Sequence, residues 1–175
     1  MANTGYRIPE GINMFQVYND TNRVIGISGD VTLPKFAYKT ASINPAGMAG
    51  EYEAPMIGQI ASQSMEIPFK QIDEQEFFDM VASEKDVVLR ASVQTRKLES
   101  NEVVMVPMTV VVRGITKEYD LGTVKKNDSM DASITKEITY IKITINNVVC
   151  LEYDKFNNIY ILQGKDQFEK LRSML

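Results

Sequence analysis

Alternating hydrophobic and polar positions indicate that most of this chain is β-strand. The alternation is cleanest over 87–97, and the same period of two residues predicts strands over 23–31 and 60–69. Residues 103–113 are apolar on both faces, which is typical of a strand buried on both sides. Because only a short polar turn separates 87–97 from 103–113, these two strands are predicted to form a long hairpin.

A change of phase in the next apolar stretch predicts a β-bulge. Over 134–146 the apolar positions shift from even to odd numbers, and the shift falls near Tyr140. Asn146 and Asn147 follow, a pair that favours a tight turn into a strand over 148–153. A short strand over 159–162 is expected after it.

Two helices interrupt this β pattern. Asp73 followed by Glu76 resembles a capping box, and Phe77 and Phe78 begin an apolar stripe that is expected to face the core. A second, short helix is predicted after Gly164. The chain is therefore predicted to be mainly β: an antiparallel β-sandwich or barrel with one packed α-helix and a short C-terminal helix.

The chain length fits a single domain over 1–175. Two segments lack a periodic pattern: 44–58, rich in glycine, proline and methionine, and 120–131, which is polar and acidic at both ends. Long loops of this kind tend to be functional or flexible. We expect 44–58 to be an extended loop and 1–11 to be a short N-terminal arm.

Composition excludes several chemistries. The chain has no histidine and one cysteine, so the commonest general base and the usual ligands of structural zinc are missing. The glycines of 44–58 are not followed by the Lys-Ser/Thr pair of a phosphate-binding loop. We expect no catalytic residues, no cofactor and no metal site, and the chain is predicted not to be an enzyme.

Charge and hydropathy narrow the possible partners. The net charge is −4, and the basic residues are interleaved with acids, so the clustered Lys/Arg surface of a sequence-reading nucleic-acid-binding protein is missing. No run of about 18 apolar residues exists to span a membrane, and the N-terminus lacks the apolar region of a signal peptide. We expect a protein that is soluble and intracellular when made.

Several short segments form a pattern along the chain: VTLPK at 31–35, AGMAG at 46–50, SME at 64–66, the Arg-Gly and Lys-Glu pairs within 113–122, and 139–146. In order and spacing, over roughly 12–172, this pattern resembles a known family. The family is that of the major tail tube proteins of contractile-tailed phages and of phage-tail-like particles (tailocins). The whole pattern is more specific than any single short motif.

This resemblance implies a structural subunit that forms hexameric rings, which stack into the hollow inner tube of a tail. Its partners would be further copies of itself, the tail sheath protein, and the baseplate and tail terminator proteins. DNA would pass through the tube without sequence-specific binding, or the tube would puncture an envelope. The protein would end up in the virion tail or a tail-like particle. A type VI secretion-like tube protein, and a small monomeric or dimeric β-barrel binding module, are the alternatives.

Two groups of residues are candidates for this role. In 44–58, flexible and apolar side chains suit packing against a neighbouring subunit, whereas a mobile surface loop is the plainer interpretation. The candidate contacts are Gly47, Met48, Gly50, Tyr52 and Met56. Polar strand faces suit the wall of a channel, although an ordinary solvent face has the same pattern. The candidate lumen residues are Ser62, Ser64, Glu66, Ser92 and Gln94.

Overall fold

A computed structural model describes residues 6–27, 29–44, 49–73 and 75–174. Eleven strands and two helices are present in this part of the chain. They are β1 (Arg7–Asn19), β2 (Asn22–Val24), β3 (Tyr38–Ile43), β4 (Tyr52–Ile60), β5 (Ser64–Phe69), α1 (Glu76–Ala82), β6 (Val87–Lys97), β7 (Val103–Asp120), β8 (Ala132–Ile145), β9 (Val148–Asp154), β10 (Ile159–Leu162), β11 (Lys165–Asp166) and α2 (Glu169–Arg172).

Within the described residues, nine strands form one antiparallel sheet in the order β11-β10-β9-β8-β7-β6-β1-β2, with β5 paired to the first half of β8. The sheet curls around one core. Single bridges from Ile27 to Phe69 and from Thr32 to Glu66 join the segment after β2 to β5. It does not close into a barrel. The mainly β, sandwich-like class predicted from the sequence is confirmed, and β3 and β4 form a separate two-stranded sheet.

The long strands β7 and β8 are the centre of the sheet. Their register shifts between Arg113 and Gly114, where β8 skips Thr139, so the bulge predicted near Tyr140 is confirmed. A Cβ atom on Gly114 would overlap the backbone of β8 at Glu137, so this close approach needs glycine. The predicted Asn-Asn turn between β8 and β9 also forms, and both asparagines have positive φ, as a type I′ turn requires.

The core lies inside the curled sheet, under α1. Its fully buried side chains come from five strands and one helix, among them Phe69, Ile134, Ile138 and Ile141. A second aromatic group extends the core toward the C-terminus: Tyr160 stacks on Phe36 and packs against Tyr153 and Phe168.

Helix α1 packs differently from the sequence prediction. Phe77 and Met80, three residues apart on one face, are buried, whereas Phe78 is 45% exposed. The prediction that Phe78 faces the core was therefore wrong. The Asp73 carboxylate accepts the Phe77 N–H at 2.9 Å. In a capping box, the Glu76 carboxylate would accept the Asp73 N–H. Here it accepts the backbone N–H groups of 25 and 26 instead.

The C-terminus of α1 is capped by side chains of the sheet. Lys136 is 1% exposed, and its ammonium donates to the Ser83 carbonyl at 2.8 Å and to the Thr116 hydroxyl at 3.2 Å. Thr116 in turn donates to the Val81 carbonyl at 2.8 Å. A cation here satisfies carbonyls that the last helical turn leaves free. Burial lowers the pKa of Lys136.

Other boundaries also differ from the pattern-based prediction. The strand predicted over 23–31 is reduced to β2, after which the chain makes only isolated bridges. Residues 52–60, expected to be partly loop, form β4, whereas 121–131 is irregular as predicted. The predicted N-terminal extension over 1–11 includes the start of β1, from Arg7 onward.

Candidate assembly surfaces

The antiparallel hairpin of β3 and β4, which we call the arm, carries exposed apolar side chains. Tyr52 and Met56 are about half exposed, and Ile57 is 70% exposed. Gly50 precedes β4 with a φ of +144°, a conformation that favours glycine. Gly47 and Met48 lie outside the described residues. The segment therefore offers an unusually apolar surface, held on a strand rather than on an irregular loop.

The ladder of the arm is broken near its base. Tyr38 pairs with Ile60, but the next pair along is Thr40 with Pro55. Four residues of β4, 56–59, therefore lie opposite Lys39 alone. Gly58, within this bulge, has a φ of +90°.

A second surface is formed where three strands run past the rest of the sheet. β6 pairs with β1 and β7 as far as Arg96, whereas β8 leaves β7 at Met108. We call the projecting part, residues 7–16, 92–97 and 103–107, the blade. In the described part of the chain, no strand pairs with the outer edge of 7–16 or of 103–106.

The backbone direction along the β7 edge follows from its hydrogen bonds. The Lys97 N–H donates to the Glu102 carbonyl. The backbone N–H and C=O groups of even-numbered residues at the start of β7 therefore face β6. The N–H and C=O groups of Val103 and Met105 therefore point away from β6. The Pro107 carbonyl points the same way, since it accepts the Asn146 N–H at 2.9 Å. The edge is uncharged from 103 to 110, and exposed edges in monomeric proteins usually carry charge or are covered.

Four candidate lumen residues, Ser64, Glu66, Ser92 and Gln94, are on the face of the main sheet that points away from the core, but toward opposite ends, and Ser62 lies just before β5. Ser62 donates to Glu137 at 2.6 Å, and Ser64 and Glu66 are exposed beside it. Ser92 and Gln94 lie in the blade, next to 105–107. The two groups are separated by about ten residues along β8, roughly 30 Å.

Basic side chains on the outward face of the blade, and of β6 next to it, are compensated. Arg96 forms an ion pair with Glu10, and the Gln94 amide donates to the same carboxylate. The guanidinium of Arg90 lies 5.0 Å from the ring centroid of Tyr18, a cation–π contact. The hydrogen bond from Gln94, followed by that from Arg96, lowers the pKa of Glu10, so this carboxylate stays ionised to lower pH than usual.

The same compensation continues toward the middle of the sheet. Arg113 makes two hydrogen bonds to Asp86, at 2.7 and 3.1 Å, and lies over the Tyr140 ring. The Tyr140 hydroxyl donates to Glu152, and desolvation together with this carboxylate raises the pKa of Tyr140 to about 12. Among the residues that the structure describes, the outward face therefore has polar and charged groups in pairs and no basic cluster.

The sequence patterns missed one of the three strands of the blade, because β1 was not predicted as a strand. Pro9 and Gly11 are unusual in strands, and β1 skips a residue at Glu10 and again at Asn13 relative to β6. These irregularities hide its alternation. The remaining signal is the run from Met14 to Tyr18, in which Phe15 and Val17 face inward.

In the described ranges, no group of three or more metal-ligating side chains occurs. None of the helices in these ranges has the length and apolar character needed to cross a membrane.

Unpaired sheet edges and an exposed apolar arm are features of proteins that assemble with copies of themselves. The profile of the family described as "Phage tail tube protein FII" matches residues 9–175. The chain belongs to this family, and it is a structural tail tube subunit. The resemblance stated from the sequence is therefore confirmed.

Two curated relatives have similar length. The chain is 26% identical over 167 residues to the "Tail tube protein" of Escherichia phage P2, and this match covers 94% of this chain and 96% of the relative. It is 25% identical over 161 residues to the "Major tail tube protein" of Serratia phage KSP20, with 92% of both chains covered.

Solved structures share the fold at lower identity. The sheath/tube terminator of an extracellular contractile injection system, PVC, in its extended state has a TM-score of 0.54 at 16% identity. The tube terminating cap of the anti-feeding prophage has a TM-score of 0.51 at 15% identity. The matches cover 81% and 82% of this chain and 99% of each of those chains. At this identity the likeness concerns the fold.

Proposed function

We propose that the chain forms hexameric rings that stack into the hollow inner tube of a contractile tail. The tube is the conduit for DNA ejection, or the rod that punctures an envelope. Family membership and the names of both curated relatives support the tube, and the solved neighbours, named as parts of contractile systems, support the contractile context. We further propose that subunits are made in the bacterial cytoplasm and join the tail there.

The observation that carries this proposal is the blade with two open edges. A sheet edge with free N–H and C=O groups pairs readily with another strand. Joining the edge of 7–16 on one copy to that of 103–106 on the next satisfies both. The contact is head-to-tail, so identical contacts close into a ring when the rotation permits. The two bulges of β1 add the bend that a closed sheet needs.

The outward face of the blade is then the wall of the channel, with Ser92 and Gln94 in the lumen. DNA binding strength depends on Lys and Arg that neutralise phosphates. Here Arg96 is already paired with Glu10, and Arg90 lies on Tyr18. A wall with compensated charges lets DNA pass without holding it. Ser62, Ser64 and Glu66 line the same channel nearer its other end, or face the gap between rings.

The remaining surfaces are assigned to other partners. The arm, including Gly50, Tyr52 and Met56, contacts a neighbouring subunit or ring, and the whole of 1–175 acts as one tube domain. Gly47 and Met48 belong to this arm by sequence. The tail sheath protein binds outside the tube, and baseplate and tail terminator proteins bind at its ends. We propose no catalytic role, since the activity of a tube subunit is assembly itself.

Replacing Met105 with proline tests the edge pairing. Proline at this position removes an N–H that points away from β6, so the β6–β7 ladder keeps its hydrogen bonds. We expect a folded subunit that no longer forms rings or tubes, measured by light scattering and electron microscopy. Met105→Leu is the matched control and should assemble normally. Tubes of normal length from Met105→Pro would contradict the pairing of this edge.

A further inference from the structure

We propose that Leu171, on the C-terminal helix α2, is a positioning residue for assembly because it sets the direction of the arm. This inference rests on the proposed function of the arm as a contact between subunits. Leu171 is assigned no contact with the neighbouring subunit. It acts on the subunit to which it belongs, through Gly58.

The arm needs an external support because its own ladder is interrupted. The tip, from Thr40 and Pro55 outward, is joined to the base at Tyr38 and Ile60 through the unpaired residues 56–59. A stretch of strand without ladder hydrogen bonds has little resistance to bending. The bulge is therefore the natural pivot between the base of the arm and its tip.

Leu171 packs into this pivot. A Cβ atom on Gly58 would lie 2.7 Å from the Leu171 Cδ1 atom, so the leucine methyl occupies the space that a side chain would need. The φ of +90° at Gly58 is a conformation that other residues rarely adopt. Gly58 thus combines a backbone bend with a notch for the leucine.

The helix that carries Leu171 is itself fixed. Phe168, at the start of α2, is buried against Tyr160, with ring centroids 5.4 Å apart. Arg172 forms an ion pair with Asp166, and its guanidinium donates to the Asn158 carbonyl at 2.7 Å. Leu171 lies between Phe168 and Arg172 in the sequence, so these contacts hold its side chain in place against the pivot.

The same platform also holds the base of the arm. Phe36, just before β3, stacks on Tyr160 with ring centroids 6.0 Å apart. The Ala61 N–H, just after β4, donates to the Ala37 carbonyl at 2.8 Å. Base and pivot are thus fixed to one aromatic platform. An arm held in one direction loses less conformational freedom when it binds, so assembly requires a lower subunit concentration.

The test is Leu171→Ser in the full-length chain. In the free subunit, amide hydrogens of 49–57 should exchange faster, while those of β7 and β8 keep their protection. The critical concentration for tube formation should rise roughly three- to tenfold. Leu171→Met, which keeps an apolar contact, should restore both values. Met174→Ser, at an exposed position two residues after the end of α2, is the matched control and should change neither.

A double-mutant cycle separates the contact from a general effect of the helix. Gly58→Ala fills the notch with a methyl group and strains the backbone, so it should raise the critical concentration by itself. In its background Leu171→Ser should add little, because the leucine can no longer occupy the notch. Additive effects would show that Leu171 acts elsewhere and would overturn the proposal. So would unchanged exchange in 49–57 with normal assembly of Leu171→Ser.

The outcome is separable from the role of the arm itself. If aspartates at the arm tip leave assembly intact, the arm is not a contact, and the proposed function fails at that point. If those aspartates block assembly while Leu171→Ser has no effect, the arm is a contact that Leu171 does not position.

Discussion

Individual side chains decide where helix α1 sits on the sheet. Lys136 reaches the Ser83 carbonyl from the sheet, and Thr116 reaches the Val81 carbonyl, so the helix end is satisfied by residues distant in sequence. At the other end, Glu76 holds two backbone N–H groups of the segment after β2. The helix is thus tied to the fold at both ends by polar contacts as well as by Phe77 and Met80.

The buried ammonium of Lys136 predicts a pH dependence of stability. Its pKa is lowered in the folded state, so the unfolded chain binds more protons between that pKa and the unfolded value of about 10.4. Stability should therefore rise with pH across this window, as the cost of the buried charge disappears. Lys136→Met should lack this rise in stability. The unfolding free energy of Lys136→Met minus that of the wild type should therefore fall as pH rises.

Urea unfolding at intervals between pH 7 and pH 9.5 measures this difference. Lys170→Met, an exposed lysine on α2, is the matched control. A difference between Lys136→Met and wild type that is constant across the pH range would contradict the burial of a charged Lys136.

The elements differ in how plainly the sequence encodes them. β6 follows its alternation from Val87 to Lys97, and α1 lies near its capping signal, so local patterns are enough for both. β1 and β4 were missed because bulges, glycine and proline break their alternation. Those irregular strands belong to the blade and the arm, the two surfaces that we propose for assembly.

The candidate site was only partly predictable for the same reason. The composition of 44–58 pointed to the arm, and the polar positions of 87–97 pointed to the outward face of β6. The open edge of β7 has no signal in the sequence, because Val103 to Val106 look like any buried strand. Only the end of β8 at Ile145, level with Met108, leaves that edge free.

The arm predicts a loss of assembly without a loss of folding. Tyr52→Asp combined with Met56→Asp places charge where an apolar contact would be desolvated, so polymerisation should stop. The far-ultraviolet circular dichroism spectrum and melting temperature should stay close to wild type, since both side chains are exposed in the free subunit. Thr123→Asp with Asn127→Asp, in the exposed loop 121–131, is the matched control and should still polymerise. Normal tubes from the arm variant would contradict its role.

At the scale of the whole molecule, the chain has one core and surfaces that a free monomer leaves unsatisfied. The sheet stops short of closure, the blade has two open edges, and apolar residues such as Ile12 and Leu98 are exposed near it. In the proposed tube, neighbouring subunits would cover these surfaces, and the charge-compensated face would line the channel. Family membership and the unpaired edges thus point to the same structure.

Cryo-electron microscopy of the purified, polymerised protein would show whether the two open edges join neighbouring subunits. We expect hollow tubes of stacked six-subunit rings, in which the edge of 7–16 adjoins the edge of 103–106 in the next subunit. Ser92 and Gln94 should face the lumen. Discrete particles the size of one or two subunits under all conditions, or tubes in which the edge of 103–106 faces solvent, would contradict it.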